Sequence, residues 1–152
     1  MKTRKVKTLR QIYIKWLDLL WGIIIHNRDK ETCQWCERSY GKIDAHHIHG
    51  RGLFVRWDTR NGILLCYRCH QHRIHTDHEG LRWVCIKKIG QRVYDQLYFL
   101  SHRPCGNVDF EHWEKLLLDE IKNLHITLPP KPKRLTEQPK LPLKNKKKLG
   151  KK

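Results

Sequence analysis

Acidic residues are scarce in this chain: Asp and Glu number 15 against 32 Lys and Arg, which leaves a formal charge of +17. So basic a chain favours polyanionic partners. A long apolar run is also missing. The longest stretch, Trp16 to Ile25, is interrupted by Asp18 and is too short to span a bilayer, so no membrane association is expected. The basic Met1 to Arg10 run is not followed by a small-residue cleavage site, so no signal peptide is expected either. No internal repeat appears. Apolar mass is nearly absent after Pro129, where Pro and Lys dominate and a disordered basic tail is expected. From Pro129 to Lys152 ten Lys or Arg accompany one acid, Glu137, so this tail holds +9 of the total and residues 1–128 keep +8. The folded part is therefore basic by itself. A length of 152 residues fits one domain plus a tail.

What is present begins with cysteine. Four of the six cysteines form Cys33-Gln-Trp-Cys36 and Cys66-Tyr-Arg-Cys69. Paired CxxC knuckles in a reducing compartment read as a zinc site rather than as disulfides, and a cytoplasmic setting is the expectation. Four thiolates complete a tetrahedral shell, so this zinc is structural. Cys85 and Cys105 are left over and read as small buried residues.

Periodicity predicts the elements. Ile12, Trp16, Leu19, Leu20, Ile23 and Ile24 recur at spacings of three and four, giving an amphipathic helix over residues 8–27. Lys42 to Ile48 reads as a strand entering the Gly50-Arg51-Gly52 turn, and Ile63 to Leu65 as a second strand after the Asn61-Gly62 turn signal. A helix of roughly two turns should follow Tyr67. Further helices are expected from Leu81 to Ile89, ending at Gly90, and from Val93 to Leu100. Asp109 is placed to cap a last helix carrying Phe110, Trp113, Leu117, Ile121 and Leu124. That helix is expected to lie as a lid over the first helix and the zinc core, a dimer seam being the alternative.

Between the knuckles lie Asp44-Ala45-His46-His47-Ile48 and Arg56-Trp57-Asp58-Thr59-Arg60-Asn61-Gly62, followed by His70 and His75. This segment resembles the HNH, or ββα-metal, nucleases, in the subgroup where CxxC pairs flank the His-His strand. The resemblance covers about residues 28–78. More loosely, Ile25 to Cys36 and Lys88 to Leu97 are similar to phage recombination endonucleases of the NinG/Rap type, which extends it to about residue 125. It implies an α+β fold: residues 1–30 as an N-terminal helix, 31–78 as a zinc-stapled HNH core, 79–128 as a C-terminal helical region and 129–152 as the tail.

Carried over residue by residue, the resemblance implies His47 as general base, since a neutral imidazole can take a proton from water. It implies His46 and His70 as ligands of a catalytic divalent metal, and Asn61 as the residue that holds the base's imidazole and the loop. The place one helical turn after His70 is Ile74, a departure from the pattern, with His75 one residue later as a candidate ligand. Two histidines plus water and phosphate oxygens suit Mg²⁺ or Mn²⁺, while imidazole pairs also suit Zn²⁺ or Ni²⁺. The bland alternative for His46 and His47 is a second structural zinc site or satisfied polar residues. Neighbours on a strand point to opposite faces, so both rings can serve one phosphate only at the strand's end.

Arg51, Arg56, Arg60, Arg68 and Arg73 are candidate phosphate clamps, and Trp57 reads as packing. The resulting expectation is a metal-dependent DNA endonuclease, selective for branched recombination intermediates or acting on phage DNA. The alternatives are a noncatalytic zinc module that binds DNA or RNA, and a packaging or interaction protein built on a degenerate HNH scaffold.

Overall fold

The computed structural model describes residues 8–104 and 106–136. Helix α1, Leu9–Arg28, opens on a capping box in which the Thr8 hydroxyl accepts from the Gln11 N–H and the Gln11 side chain accepts from the Thr8 N–H. A knuckle loop leads to β1, Ile43–His47, and a 3₁₀ turn at Thr59–Asn61 leads to β2, Gly62–Cys66. The strands pair antiparallel, with His46 opposite Ile63 and His47 opposite Gly62. A π-helical turn, Cys69–Arg73, runs into the single turn α2, Ile74–Thr76. Helices α3, His78–Ile89, α4, Gln91–Ser101, and α5, Phe110–Asn123, follow, and α6, Lys133–Thr136, is one turn. The expected α+β class is met by the described residues, which are mostly helical with one two-stranded sheet.

All five residues of β2 are buried because the sheet is sandwiched. Alternation sends Leu64 into a core around α1, with Trp57 and the α5 residues Leu117 and Ile121. It sends Ile63 and Leu65 into a second core around the cysteines, covered by Leu81, Val84 and Tyr94 of α3 and α4. Helix α5 is thus a lid over α1 and Trp57, whereas the expected cover over the cysteines is supplied by α3 and α4. Two partners also widen the buried stripe of α1: Leu17, Trp21 and Ile25 join Trp16, Leu20 and Ile24, and the predicted core residue Leu19 stays 47% exposed.

Polar groups fix the layers. Asp29, which caps α1, accepts from Arg28, from Lys88 of α3 and from the Leu64 N–H of β2. The tail expectation needs correction at its start. Glu114 of α5 is buried and accepts from Trp16 Nε1 at 2.6 Å, and Lys131 reaches the same carboxylate at 2.7 Å, while Leu135 is buried against α1. A buried carboxylate requires a cation, and Pro129 to Thr136 supplies it. The remaining lysine-rich tail and Cys105 lie outside the described residues. Among those described, no helix is long and apolar enough to cross a membrane.

Candidate metal centre

The two knuckles meet. The Sγ atoms of Cys33, Cys36, Cys66 and Cys69 all lie within 4.8 Å of one another, with Cys36 and Cys66 3.6 Å apart. That is far beyond a disulfide bond and close to the edge of a tetrahedron of thiolates around zinc, about 3.8 Å for Zn–S of about 2.3 Å. Register brings them together: Cys66 ends β2, the Gln34 N–H donates to the Leu64 carbonyl, and the Cys33 N–H donates to that of Arg38. Burial opposes ionisation at Cys66, but hydrogen bonds from the Cys69 backbone and neighbouring thiols outweigh it and hold this thiol at about 7. Cys69 is pushed up by burial and by the adjoining sulfurs. A divalent cation resolves that conflict, and these four cysteines can hold a structural metal such as zinc. Cys85 is buried and its thiol is pushed up to about 12, as suits an inert core residue.

The two histidines at the end of β1 face opposite layers. His46 lies against His70, ring centroids 5.0 Å apart and edge-on, and Asp44, two residues earlier on the same face, places Oδ2 3.8 Å from His70 Nδ1. Asp44 was not singled out in the sequence, although strand alternation with His46 marks it. His47 turns instead to α1, where its ring stacks on Trp21 at 4.0 Å and 5°. Gly62, directly across the ladder, makes the space: a Cβ there would lie 2.5 Å from Ile25 Cδ1 and 2.7 Å from Trp21 Cζ2. Nothing local in the sequence marks Trp21 as a partner of His47.

His47 Nε2 lies 2.9 Å from the Arg56 carbonyl oxygen. A carbonyl only accepts, so Nε2 carries the proton and Nδ1 keeps its lone pair. Burial pushes both His46 and His47 down to about 4, aided at His46 by the charges of His70, His47 and Arg51 and opposed at His47 by the bond to Arg56. Asn61, wholly buried, does only half of its expected task. Its Oδ1 accepts from the His49 N–H and its Nδ2 donates to the Gly50 and Val55 carbonyls, so it ties the loop, while the imidazole is held by Arg56.

No family model, curated protein or solved structure matches the chain.

The remaining candidates divide. The π turn, whose Ile74 N–H donates to the Cys69 carbonyl, packs Ile74 against the cysteine core and leaves His75 exposed. Among the described residues the compact cluster of three or more ligands is that of the cysteines, and neither His75 nor Asp44 completes one with His46 and His70. Arg51 is exposed, and its charge acts on both His46 and His47. Arg56 is committed to Asp18 through a fork at 2.8 and 2.8 Å, and Asp18 also accepts from Trp57 Nε1. Arg60 is forked onto Asp58. Arg68 is exposed beside the cysteines, and Arg73 lies 4.2 Å over the Trp35 ring with Asp77 at 3.5 Å.

Proposed function

We propose that the chain is a metal-dependent endonuclease of the HNH type that hydrolyses phosphodiester bonds in DNA. The observation that carries this reading is the divided pair at the end of β1: His46 beside His70 and Asp44, and His47 fixed by the Arg56 carbonyl with Nδ1 unprotonated. His46 and His70 would hold a catalytic divalent ion, with Asp44 beside His70 as a carboxylate donor; donor chemistry favours Mg²⁺ or Mn²⁺, with Zn²⁺ or Ni²⁺ as the imidazole-favoured alternatives. When bound, such an ion offsets charge on the phosphate and on the leaving 3′ oxygen.

His47 takes the proton of the attacking water at Nδ1, and the imidazolium so formed keeps its Nε2–H on the Arg56 carbonyl. Trp21 and Asn61 hold ring and loop, so no reorganisation is needed at that moment. A phosphodiester beside the ring adds negative charge and raises its basicity from the low value that burial imposes. Arg51, exposed and acting by its charge on both histidines, grips that phosphate in this reading. A 5′-phosphate and a 3′-hydroxyl result. The cysteine site, closed by four thiolates, holds the two knuckles together and takes no part in the chemistry.

The test is incubation of zinc-loaded protein with supercoiled plasmid and with a four-way junction, in Mg²⁺, in Mn²⁺, and in a chelator dose that leaves the bound zinc in place. Metal-dependent nicking is expected. Binding without nicking would make the chain a noncatalytic zinc-dependent nucleic-acid-binding module.

A further inference from the structure

The concavity on the outer side of the cysteine knuckles is not used by this chemistry. It spans about 560 Å³, a volume that includes the cysteine site itself at Cys36, Cys66 and Cys69, and its rim carries Arg38, Arg68 and Arg73, with Tyr40 and one acid, Glu37. Among the described residues neither Arg38 nor Arg68 has a carboxylate within salt-bridge distance. Part of their charge balances the cluster, since four thiolates around a divalent ion keep two net negative charges. Charge balance does not call for an exposed tyrosine. Yet Tyr40 is 70% exposed with the Arg38 guanidinium 4.9 Å over its ring. Guanidinium forks beside open aromatic faces are the chemistry that grips phosphodiesters and packs against sugars or bases.

From this we infer that the arginine-lined knuckle concavity is a second DNA-contact site, which takes a backbone phosphate of the same duplex that the histidine end of β1 engages. The spacing fits. Ile43 pairs with Cys66 at the knuckle end of β1, and His46 lies three residues along, about 10 Å at a rise of about 3.3 Å per residue. A span of that order lies within reach of neighbouring phosphates on one duplex, whose strand carries a charge every ~3.4 Å of helix axis. Arg38 carries no signal of this in the sequence, because only the fold sets it beside Arg68 and Arg73. The proposal rests on the reading of the chain as a DNA-binding protein and does not depend on cleavage.

The experiment is fluorescence anisotropy of a labelled duplex with full-length, zinc-loaded protein, from about 50 to 200 mM salt. The Arg38→Gln/Arg68→Gln variant should bind about tenfold more weakly at low salt, with a salt slope shallower by about 2 and the zinc content of wild type. Tyr40→Ala, which removes an exposed side chain, should weaken binding several-fold and leave the slope unchanged. Wild-type affinity and slope in the arginine variant overturn the proposal. If that variant loses zinc, Tyr40→Ala decides: weaker binding upholds the site, and unchanged binding overturns it. Loss of nicking with these binding effects intact removes the nuclease reading alone, whereas wild-type protein that binds no DNA removes both.

Discussion

Gly62→Ala is a one-methyl change with a calculable consequence. The added Cβ would meet Ile25 Cδ1 at 2.5 Å, Ile25 Cγ1 at 2.7 Å and Trp21 Cζ2 at 2.7 Å, all well inside van der Waals contact. Neither neighbour can easily retreat: Ile25 is fully buried, and Trp21 is 3% exposed and held by a 3.1 Å bond from its Nε1 to the Asp58 carbonyl. Overpacking of this kind costs about 1–3 kcal/mol. A domain of this size loses roughly 3–6 °C of Tm per kcal/mol, so a central cost of about 2 kcal/mol lowers Tm by roughly 6–12 °C. The displaced indole also loses its parallel stack on His47, so nicking by the folded protein should drop further than the unfolded fraction explains. Differential scanning fluorimetry and nicking at a temperature where the variant is fully folded measure the two effects. A Tm within about 2 °C of wild type, with full activity, would refute the claim that Gly62 seats Trp21 against the imidazole.

Three further outcomes are expected. Asp18 and Asp29 are both pressed upward by burial, but donors outweigh it and leave them below the ordinary 3.8: Arg56 and Trp57 for Asp18, Arg28, Lys88 and the Leu64 N–H for Asp29. A depressed folded-state pKa gives stability that is fully present above 3.8 and is lost as pH falls below it, so acid unfolding should steepen there, and Asp29→Asn should flatten that limb in pH-dependent urea melts. Cys66→Ser should abolish stoichiometric zinc and cooperative unfolding, read by metal analysis and circular dichroism, because a structural zinc contributes on the order of 10 kcal/mol, as much as the net stability of a small domain. Arg51→Gln should weaken DNA binding with an unchanged Tm, whereas Arg56→Gln, which strips the fork from Asp18, should cost about 1–2 kcal/mol and several degrees of Tm.

Local pattern carried much of the fold into view. Paired CxxC spacing pointed to the cysteine cluster, Asp109 capped α5 through the His112 N–H, and Asn61-Gly62 marked the entry to β2. Strand alternation correctly set His46 and His47 on opposite faces. What stayed hidden was long-range. Arg56 looked like a free clamp because its partner Asp18 is 38 residues away in sequence. The π turn, which leaves His75 exposed, has no signature in residues 69–73, and the ordering of Lys131 depends on Glu114 being buried by α1. The Asn61 amide and the Arg56 carbonyl share the work first given to Asn61 alone, a division that only backbone geometry reveals.

The most direct test of divided duties between a closed cysteine site and an open histidine site is single-turnover nicking by His47→Ala, with zinc quantified in the same sample. The expected result is a rate at least about 100-fold below wild type with zinc content unchanged, the usual cost of removing a general base. Equal rates for wild type and variant would contradict it.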